Sequence, residues 1–353
     1  MRYLFVVGHP AHVHFFKYAI RTLRERGHET LVGAVSREVT VQLLRAYRLE
    51  YFVFGRSWSS LLAKAIGVVP KDIALLMRAG KFRPDIVVST GIPYAAHVAT
   101  ILGAPHIAFG DTERAVLVAR LTLPFTDLVC TPASFEADLG SKHIRYNGCK
   151  ELAYLHPNYF QSDASVLGGL GLESEDRIVI VRFAAWDSSH DLRDSGFRFE
   201  SEGAALDFLA SLEQYGKVLL TSDKRLGPSF KRYLVSVPPQ KMHDLLSCAS
   251  LYVGEGATMA AEAGVLGVPW VFVSQTGRGF LREQEVVYGL GRTVKGVEAA
   301  QEVVPELLAP SVPEEWRVRR NRFLADKEDV VRFVVGVLEN YPEIPSDRGR
   351  HSR

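Results

Sequence analysis

The chain has 353 residues, of which 47% are hydrophobic and 23% charged, a composition typical of a globular protein of about two domains rather than a multispanning membrane protein. The 42 Lys and Arg against 40 Asp and Glu give a formal net charge of +2, so no global basic field indicates a nucleic acid partner. The three cysteines show no CxxC or Cys/His ligand spacing, and they favour neither a disulfide framework nor a metal site.

Charge is distributed unevenly along the chain. Residues 1–155 contain 19 Lys and Arg against 12 Asp and Glu, a surplus of 7 positive charges, whereas the remaining residues contain 23 against 28. An anionic partner is therefore expected at the N-terminal half. The apolar run at the N-terminus is too short for a signal peptide, and no run reaches the ~18 apolar residues of a spanning helix. We therefore expect a cytoplasmic protein.

Short apolar runs alternate with amphipathic stretches through the first half of the chain. The stretch Phe15–Arg26 has helical periodicity and is followed by Gly27, the residue type favoured after a helix C-terminus. Strands that alternate with helices predict right-handed crossovers and a parallel sheet covered on both faces, so we interpret residues 1–155 as one α/β domain. The predicted strands are Tyr3–Val7, Thr30–Ala34, Tyr51–Phe54, Ile86–Ser89, His106–Phe109 and Leu128–Cys130.

The second half repeats this plan after Tyr159–Gly171, a polar and glycine-rich stretch that suggests an interdomain connection. We interpret residues 156–327 as a second Rossmann-like domain and residues 328–353 as a C-terminal helix, Glu328–Asn340, with a frayed tail. No strand follows this helix, and it can pack back on the N-terminal domain. The predicted strands are Ile178–Phe183, Lys217–Thr221, Leu251–Gly254 and Trp270–Val273, and the predicted helices are Gly203–Tyr215, Met242–Ser247, Met259–Leu266 and Val297–Leu308.

Open α/β sheets bind ligands at the carboxyl ends of their strands, so two such domains in tandem predict a cleft between them. The first loop at a strand end is Gly8–Phe16, which holds His9, His12 and His14. Three imidazoles at a helix N-terminus combine a base that titrates near neutral pH with backbone donors for an anion. Function is favoured for the cluster, although capping or packing explains each histidine equally well, and a metal site would lack carboxylate or thiolate ligands.

Two further loops follow predicted strands of the first domain. Ser89–His97 contains small residues that let the backbone approach a ligand, and an ordinary tight turn explains it equally well. Phe109–Glu113 places Asp111 and Glu113 just past another strand, where either carboxylate can orient a histidine or bind a substrate hydroxyl. A helix N-cap at Asp111 or Thr112 is the alternative.

The loop after the first strand of the second domain, Arg182–Asp191, is rich in titratable residues. It holds Trp186, Asp187 and His190, and a surface loop seldom combines an aromatic residue with so many ionisable groups. Arg182 suits an anionic group, and His190 suits proton transfer. We therefore favour a site at this loop.

The strongest site signal is Leu251–Trp270, where a strand enters a glycine-rich turn and then a helix. The backbone N–H groups at the start of this helix can point at a phosphate with the helix dipole behind them. Glu262 lies one turn farther on, where it can bind sugar hydroxyls. The pattern is neither the Rossmann glycine fingerprint nor a P-loop. The residues expected at the phosphate are Gly254, Gly256, Ala257, Thr258 and Met259.

These loops resemble those of the GT-B superfamily of nucleotide-sugar enzymes. The resemblance is closest to a family of uncharacterised, largely archaeal proteins related to the non-hydrolysing UDP-N-acetylglucosamine 2-epimerases and to the lipid-linked peptidoglycan N-acetylglucosaminyltransferase. It covers nearly the whole chain and implies two Rossmann-like domains with parallel sheets that face each other across a cleft. The segments that carry it are Gly8–Phe16, Gly91–Ala96, Phe109–Glu113, Lys150–Pro157, Trp186–Asp191 and Gly256–Glu262.

The resemblance implies roles for individual residues. The first loop of the lipid-linked transferase ends in His-Val, as His12-Val13 does here, which implies that His12 activates an acceptor. The epimerases carry a His-Arg pair where this chain has Trp186–Asp191, and this difference disfavours an epimerase. In the superfamily a glycine-rich turn holds the diphosphate and a Glu in the next helix holds the ribose, an order matched here by Gly254, Gly256, Ala257, Thr258 and Glu262.

We therefore hypothesise a GT-B glycosyltransferase that moves a sugar from a nucleoside diphosphate sugar, with UDP as the expected nucleotide, to an unidentified acceptor. His12 with Asp111 or Glu113 would supply the base. Arg182 and the turn at residues 256–259 would stabilise the departing diphosphate, so neither a metal nor another cofactor is required. The alternatives are a 2-epimerase-like enzyme that uses His190 and a non-catalytic nucleotide-sugar-binding protein.

The acceptor is expected to contact the N-terminal domain, and a lipid-linked acceptor is one alternative. Residues 56–83 interleave apolar residues with Lys and Arg, as basic amphipathic helices on membranes do. A pair of core-packing helices with solvated charges explains the same pattern. Peripheral contact with the inner face of the membrane is therefore a further expectation.

Overall fold

A computed structural model describes residues 1–56, 68–110, 116–183, 196–222, 225–309 and 312–343 of the chain. The chain divides into two compact units. Unit 1 consists of Met1–Tyr154 together with the C-terminal segment from Glu328, and unit 2 consists of Leu155–Lys327. Each unit is built on its own parallel sheet.

The sheet of unit 1 has seven strands, and every neighbouring pair is parallel. The strands are β1 (Arg2–Val7), β2 (Glu29–Ser36), β3 (Tyr51–Arg56), β4 (Ile86–Ser89), β5 (His106–Phe109), β6 (Leu128–Pro132) and β7 (His143–Tyr146). Their spatial order is β3-β2-β1-β4-β5-β6-β7. β4 and β5 are buried at every residue, because helices cover both faces of a parallel sheet and leave no polar alternation.

Helices connect these strands and cover the sheet. They are α1 (Pro10–Glu25), α2 (Glu38–Ala46), α3 (Val68–Phe82), α4 (Pro93–Leu102), α5 (Val116–Thr122) with a 3₁₀ turn at Leu123–Phe125, and α6 (Leu152–Leu155). α1 begins earlier than its apolar periodicity indicates, because His9 caps it and Pro10 occupies its first turn. It ends before Gly27, whose φ of +83° is the left-handed conformation expected after a helix.

The sheet of unit 2 has five parallel strands. They are β8 (Ile178–Phe183), β9 (Lys217–Ser222), β10 (Leu251–Gly254), β11 (Trp270–Val273) and β12 (Gly291–Val294), in the spatial order β12-β11-β10-β8-β9. The helices are α7 (Ser165–Gly168), α8 (Glu202–Leu212), α9 (Met242–Ser247), α10 (Ala257–Leu266), α11 (Gly279–Val286), α12 (Gly296–Leu307) and α13 (Val312–Asp326), with 3₁₀ turns at Glu213–Tyr215, Pro228–Arg232 and Pro239–Lys241.

Two strands differ from the sequence prediction, which omitted both β7 and β12. Each lies at the edge of its sheet, and each mixes polar with apolar residues, as Arg145 does in β7 and Arg292 in β12. An edge strand needs no continuous apolar run, so an apolar-run criterion does not detect it.

Residues 159–171, which the sequence suggests as a connection, belong to unit 2. Leu167 on α7 is 4% exposed and packs in the core with Ile180, Tyr252 and Trp270. The glycine-rich composition of this segment reflects turns around a short helix that covers the sheet.

The last described helix, α14 (Val330–Asn340), packs on α1 of unit 1. Asp329 caps its N-terminus by accepting a hydrogen bond from the backbone N–H of Arg332. Leu338 is fully buried, and its carbonyl accepts a hydrogen bond from the hydroxyl of Tyr3, 3.2 Å away on β1. The C-terminal segment is therefore part of the same core as the first strand.

None of the helices in the described ranges is both long enough and apolar enough to cross a bilayer. Most of the exposed large apolar residues of unit 1 lie on helices.

Candidate functional site

The turn after β1 brings His12 to the turn after β4. His12 lies in the first turn of α1 and is partly buried. The backbone N–H of Gly8 donates to His12 Nδ1 at 3.2 Å, and Thr90 Oγ lies 3.0 Å from Nδ1 and 3.1 Å from Nε2. Because β1 and β4 are adjacent parallel strands, their carboxyl ends place these loops side by side although 78 residues separate them.

The hydrogen bond from Gly8 assigns the resting tautomer of His12. A backbone N–H can only donate, so Nδ1 accepts and the neutral ring carries its proton on Nε2. Thr90 Oγ is within hydrogen-bond distance of both ring nitrogens, so it can accept from whichever nitrogen carries a proton. The pair of His12 and Thr90 can therefore take up a proton and keep the imidazolium hydrogen-bonded.

The other two histidines of the first loop have different surroundings. His9 is exposed, and its Nδ1 accepts a hydrogen bond from the Ala11 N–H at the start of α1. His14 is 7% exposed, lies 3.2 Å from the Tyr47 hydroxyl and stacks on Tyr154 with ring centroids 5.4 Å apart. His9 therefore caps the helix and His14 packs in unit 1.

In unit 2 the glycines of the predicted phosphate turn leave room for two side chains. A Cβ at Gly254 would lie 2.7 Å from the Tyr252 hydroxyl, and a Cβ at Gly256 would lie 2.9 Å from that hydroxyl and 3.0 Å from Arg182 Cδ. The Tyr252 hydroxyl donates to the carbonyl of Gly256 at 3.1 Å, and burial raises the pKa of Tyr252 far above its usual range. The missing side chains thus allow Arg182, at the end of β8, to lie against the turn.

α10 begins directly after this turn. Its first backbone bond runs from the Ala260 N–H to the Gly256 carbonyl, so the N–H groups of Ala257, Thr258 and Met259 have no acceptor inside the helix. These N–H groups can donate to an anion such as a diphosphate, which the positive end of the helix dipole also attracts. Arg182 adds a full positive charge beside the same turn.

Glu262 lies on α10 and is bound to a histidine that the sequence analysis did not select. His243 Nε2 on α9 donates to Glu262 Oε1 at 3.0 Å, and the two side chains are only 5% and 7% exposed. A carboxylate without a proton can only accept, so this bond fixes the orientation of both groups. Nothing in the sequence pairs residues 19 positions apart on different helices, and only the packing of α9 on α10 brings them together.

Five of the residues selected from the sequence lie outside the described ranges. These are Asp111 and Glu113, which follow β5 in the sequence, and Trp186, Asp187 and His190, which follow β8. Where the description resumes, the Phe197 N–H donates to Glu255 Oε1 at 2.9 Å. Among the described residues, no group of His, Cys, Asp and Glu is arranged to hold a metal ion.

A groove of about 460 Å³ lies at the opposite end of the unit 2 sheet, beside the start of β9. Two of its basic residues are already in ion pairs, Lys217 with Asp176 at 2.7 Å and Arg232 with Glu213 at 3.1 Å. The groove is therefore separate from the carboxyl-end loops and presents little uncompensated charge.

Exposed apolar side chains cover one surface of unit 1. Val69, Ile73 and Met77 follow one another every four residues along α3 and are 64%, 55% and 67% exposed. α3 packs against α4, and α4 packs against α5 and its 3₁₀ turn, which expose Ile101, Leu121 and Phe125. Arg78 and Lys81 lie exposed on α3. We call this set of apolar and basic residues the α3 surface.

A protein-family model described as "Protein of unknown function (DUF354)" matches residues 5–282. The uncharacterised protein MJ0665 of Methanocaldococcus jannaschii is 23% identical over 270 residues, which are 74% of this chain and 78% of that protein.

Two solved structures show the fold. The spinosyn forosaminyltransferase SpnP is 17% identical with a TM-score of 0.65, over 96% of this chain and 98% of that chain. The UDP-N-acetylglucosamine 2-epimerase of Neisseria meningitidis, solved with UDP-N-acetylglucosamine bound, is 14% identical with a TM-score of 0.65, over 96% and 100% of the two chains. The two units therefore have the GT-B fold, and because the scores are equal the fold does not choose between transferase and epimerase.

Proposed function

Because the chain belongs to the DUF354 family and has the GT-B fold, we propose that it is a glycosyltransferase that uses a nucleoside diphosphate sugar. Unit 2 binds the donor, with UDP as the expected nucleotide, and unit 1 binds the acceptor. The observation that carries this proposal is the strand–turn–helix segment of β10 and α10, where Arg182, three backbone N–H groups and a buried carboxylate lie around one glycine turn.

The donor is held by charge at two positions. The diphosphate binds at Gly254, Gly256 and the N–H groups of residues 257–259, with Arg182 beside them. Glu262 accepts hydrogen bonds from the ribose hydroxyls, and His243 holds the carboxylate in place through Oε1. Trp186 and Asp187, which follow Arg182 in the sequence, complete the proposed donor site.

His12 is the proposed base for the acceptor. The acceptor oxygen bonds to C1 of the sugar while the bond from C1 to the diphosphate oxygen breaks, and the acceptor's proton passes to His12 Nδ1. The protonated Nδ1 then donates to Thr90 Oγ, 3.0 Å away, instead of accepting from Gly8. Asp111 or Glu113 is the proposed carboxylate that supports this imidazolium.

The departing diphosphate needs compensation for its developing charge. Arg182 and the dipole of α10 supply it at the site where the leaving group already lies. A bound metal is not required for this step.

A donor panel followed by an assay tests the proposal. A nucleotide at 100 times its dissociation constant stabilises the folded chain by about 2.7 kcal/mol, so thermal unfolding with a set of nucleoside diphosphates and their sugars identifies the donor. The donor carrying a labelled sugar is then incubated with and without candidate acceptors. Conversion of UDP-N-acetylglucosamine to its manno epimer without any acceptor would establish the epimerase alternative, with His190 as a candidate base. Binding without turnover under every condition would establish a nucleotide-sugar-binding protein.

The α3 surface is the proposed contact with the acceptor's environment. Its exposed apolar residues would insert among lipid chains while Arg78 and Lys81 bind anionic headgroups. Such a peripheral contact with the inner face of the membrane would bring unit 1 to a lipid-linked acceptor. A soluble acceptor is the alternative.

A further inference from the structure

A buried chain of hydrogen bonds lies beneath the turn that carries Thr90. Ser89 Oγ is 2.9 Å from His106 Nε2, His106 Nδ1 is 2.9 Å from Thr126 Oγ, and Thr126 Oγ donates to the Thr122 carbonyl at 2.8 Å. Ser89 and His106 are fully buried, and Thr126 is 3% exposed. These residues come from β4, β5 and the segment before β6, so the hydrogen bonds link three separate parts of unit 1.

The donor and acceptor of each hydrogen bond in this buried series can be assigned from its Thr126 end. Thr126 gives its only proton to the Thr122 carbonyl, so its oxygen accepts from His106 Nδ1–H. The neutral imidazole then has no proton on Nε2, so Nε2 accepts from the Ser89 hydroxyl. Burial lowers the pKa of His106 to about 3, so the ring stays neutral and the order is constant at cellular pH.

At its other end, this series of hydrogen bonds reaches the backbone of the turn after β4. Ser89 Oγ, having donated its proton to His106, accepts from the N–H groups of both Gly91 and Ile92 at 3.1 Å. Gly91 has a φ of +84°, a left-handed conformation that glycine adopts without strain. Thr90 lies between Ser89 and Gly91, and its hydroxyl is the group that contacts His12.

We propose that Ser89, His106 and Thr126 are positioning residues that hold Thr90 against His12, so that the acceptor base keeps a hydrogen-bond partner when its ring is protonated. The catalytic part of this proposal rests on the proposed function, whereas the structural part, the contact of Thr90 with His12, does not. Buried polar groups are satisfied only when each has a partner, so loss of one member leaves another unpaired and releases the turn. His106 therefore acts on the reaction only through Thr90.

The same sheet contains a matched control. Thr131 Oγ on β6 lies 2.8 Å from His143 Nε2 on β7, a threonine–histidine contact of the same kind. Thr131 Oγ also donates to the Pro132 carbonyl at 3.2 Å, and His143 Nδ1 accepts from the Leu139 N–H at 3.3 Å. None of these bonds within the described residues involves the turn after β4. Thr131→Val therefore removes a threonine hydroxyl from a histidine, as Thr126→Val does, but leaves the hydrogen bonds beneath Thr90 intact.

The first measurement needs no activity. Protonation of the His12 ring is followed by NMR as a function of pH in the wild type, Thr126→Val, Ser89→Ala and Thr131→Val. Because Thr90 accepts a hydrogen bond from the imidazolium, we expect His12 to protonate at a lower pH in Thr126→Val and Ser89→Ala than in the wild type, and at an unchanged pH in Thr131→Val. Two variants are used so that the measurement remains possible if one fails to fold. An unchanged protonation midpoint of His12 in a folded Thr126→Val or Ser89→Ala would overturn the proposal.

The second measurement is turnover with the donor found in the panel above. We expect Thr126→Val and Ser89→Ala to lower kcat by about tenfold with unchanged donor affinity, and to have no further effect when His12→Ala is already present. If these variants lower kcat by the same factor in the His12→Ala background, the buried residues affect folding alone, and the positioning role is overturned. If the protonation midpoint of His12 shifts as expected while the wild type transfers no sugar, the proposed function fails and the structural part of this inference stands.

Discussion

At the scale of single residues, the surroundings of a side chain decide its role more than its type does. His9, His12 and His14 lie within six consecutive positions. His9 caps a helix, His12 contacts Thr90 in the neighbouring turn, and His14 stacks on Tyr154. A helix of 3.6 residues per turn points side chains two positions apart in different directions, so His12 and His14 face different surroundings. The His9 ring lies 5.9 Å from that of His12, between ring centroids, but it is the His12 ring that contacts Thr90 in the neighbouring turn.

We predict that His12→Ala abolishes most turnover and leaves donor binding intact. Loss of a general base lowers the rate by a factor on the order of 10² or more. Turnover and nucleotide affinity are measured on the same preparation, with His9→Ala as the control. His9→Ala should lose about 1 kcal/mol of stability through its cap and retain turnover. Equal losses of rate and affinity in His12→Ala would instead indicate a structural role.

We predict that Glu262→Gln weakens nucleotide binding by about ten- to a hundredfold, because a charge-assisted bond to ribose is worth about 1.5–3 kcal/mol. The buried pair with His243 also stabilises the contact of α9 with α10. Binding is therefore measured in parallel on His243→Gln, which breaks the same pair and keeps the carboxylate. Both variants should unfold more easily. If the two lose affinity equally, Glu262 anchors a helix and does not bind ribose.

At the scale of elements, each unit carries proposed site residues where a strand ends and a helix begins. In β10–α10 the glycines are needed because Tyr252 and Arg182 occupy the space that a Cβ would fill. The same turn therefore serves packing inside the protein as well as the proposed approach of a diphosphate. The sequence alone indicates only the second of these roles for the glycines.

We predict that Gly256→Ala displaces Arg182 and lowers nucleotide affinity by about tenfold, the loss of one charge-assisted contact. Gly336→Ala on α14 is the matched control, since a Cβ there meets nothing within 4 Å. Removing a helix-interior glycine should raise stability by about 0.5–1 kcal/mol without any effect on binding. Unchanged nucleotide affinity in Gly256→Ala would remove Arg182 from the donor site.

The α3 surface makes a separate prediction about membranes. The protein should float with vesicles that contain anionic lipid at low salt, and the double variant Ile73→Ser with Met77→Ser should not, because it removes two residues that are more than half exposed. Val286→Ser in unit 2 is the control, since Val286 is 73% exposed on a different unit. A wild type that stays in the soluble fraction would indicate a soluble acceptor.

At the scale of the whole molecule, the chain leaves unit 1, forms unit 2 and returns to unit 1 through α14. The returning helix contributes Val331, Val334 and Leu338 to a core that begins with β1. Each unit has its own sheet and core, so we expect two unfolding transitions.

We predict that Leu338→Ala lowers the stability of unit 1 by about 2–5 kcal/mol, the usual cost of deleting a buried leucine. Donor nucleotide should raise the transition of unit 2, so the two transitions are assigned by which one each perturbation moves. Calorimetry of the wild type and the variant with and without nucleotide makes this measurement. A single transition that both perturbations move together would show that the units unfold as one.

The sequence by itself determined the fold class, because strands buried on both faces of a parallel sheet must be short apolar runs. β4, β5, β8, β10 and β11 begin and end where those runs do. The GT-B fold implied by the resemblance of the loops to that superfamily is confirmed by the structural neighbours. The strand positions are local in the chain, and a local pattern of hydrophobicity is enough to encode them.

The tertiary structure alone decided which side chains meet. His12 contacts Thr90, which lies 78 positions away in the sequence, and Ser89 is linked to Thr126 through His106. Neighbouring parallel strands make these contacts possible because they bring distant segments together. His243 meets Glu262 because two helices pack together, and edge strands β7 and β12 form because a sheet already offers hydrogen-bond partners. Each of these contacts depends on the register of separate elements, which no window of sequence contains.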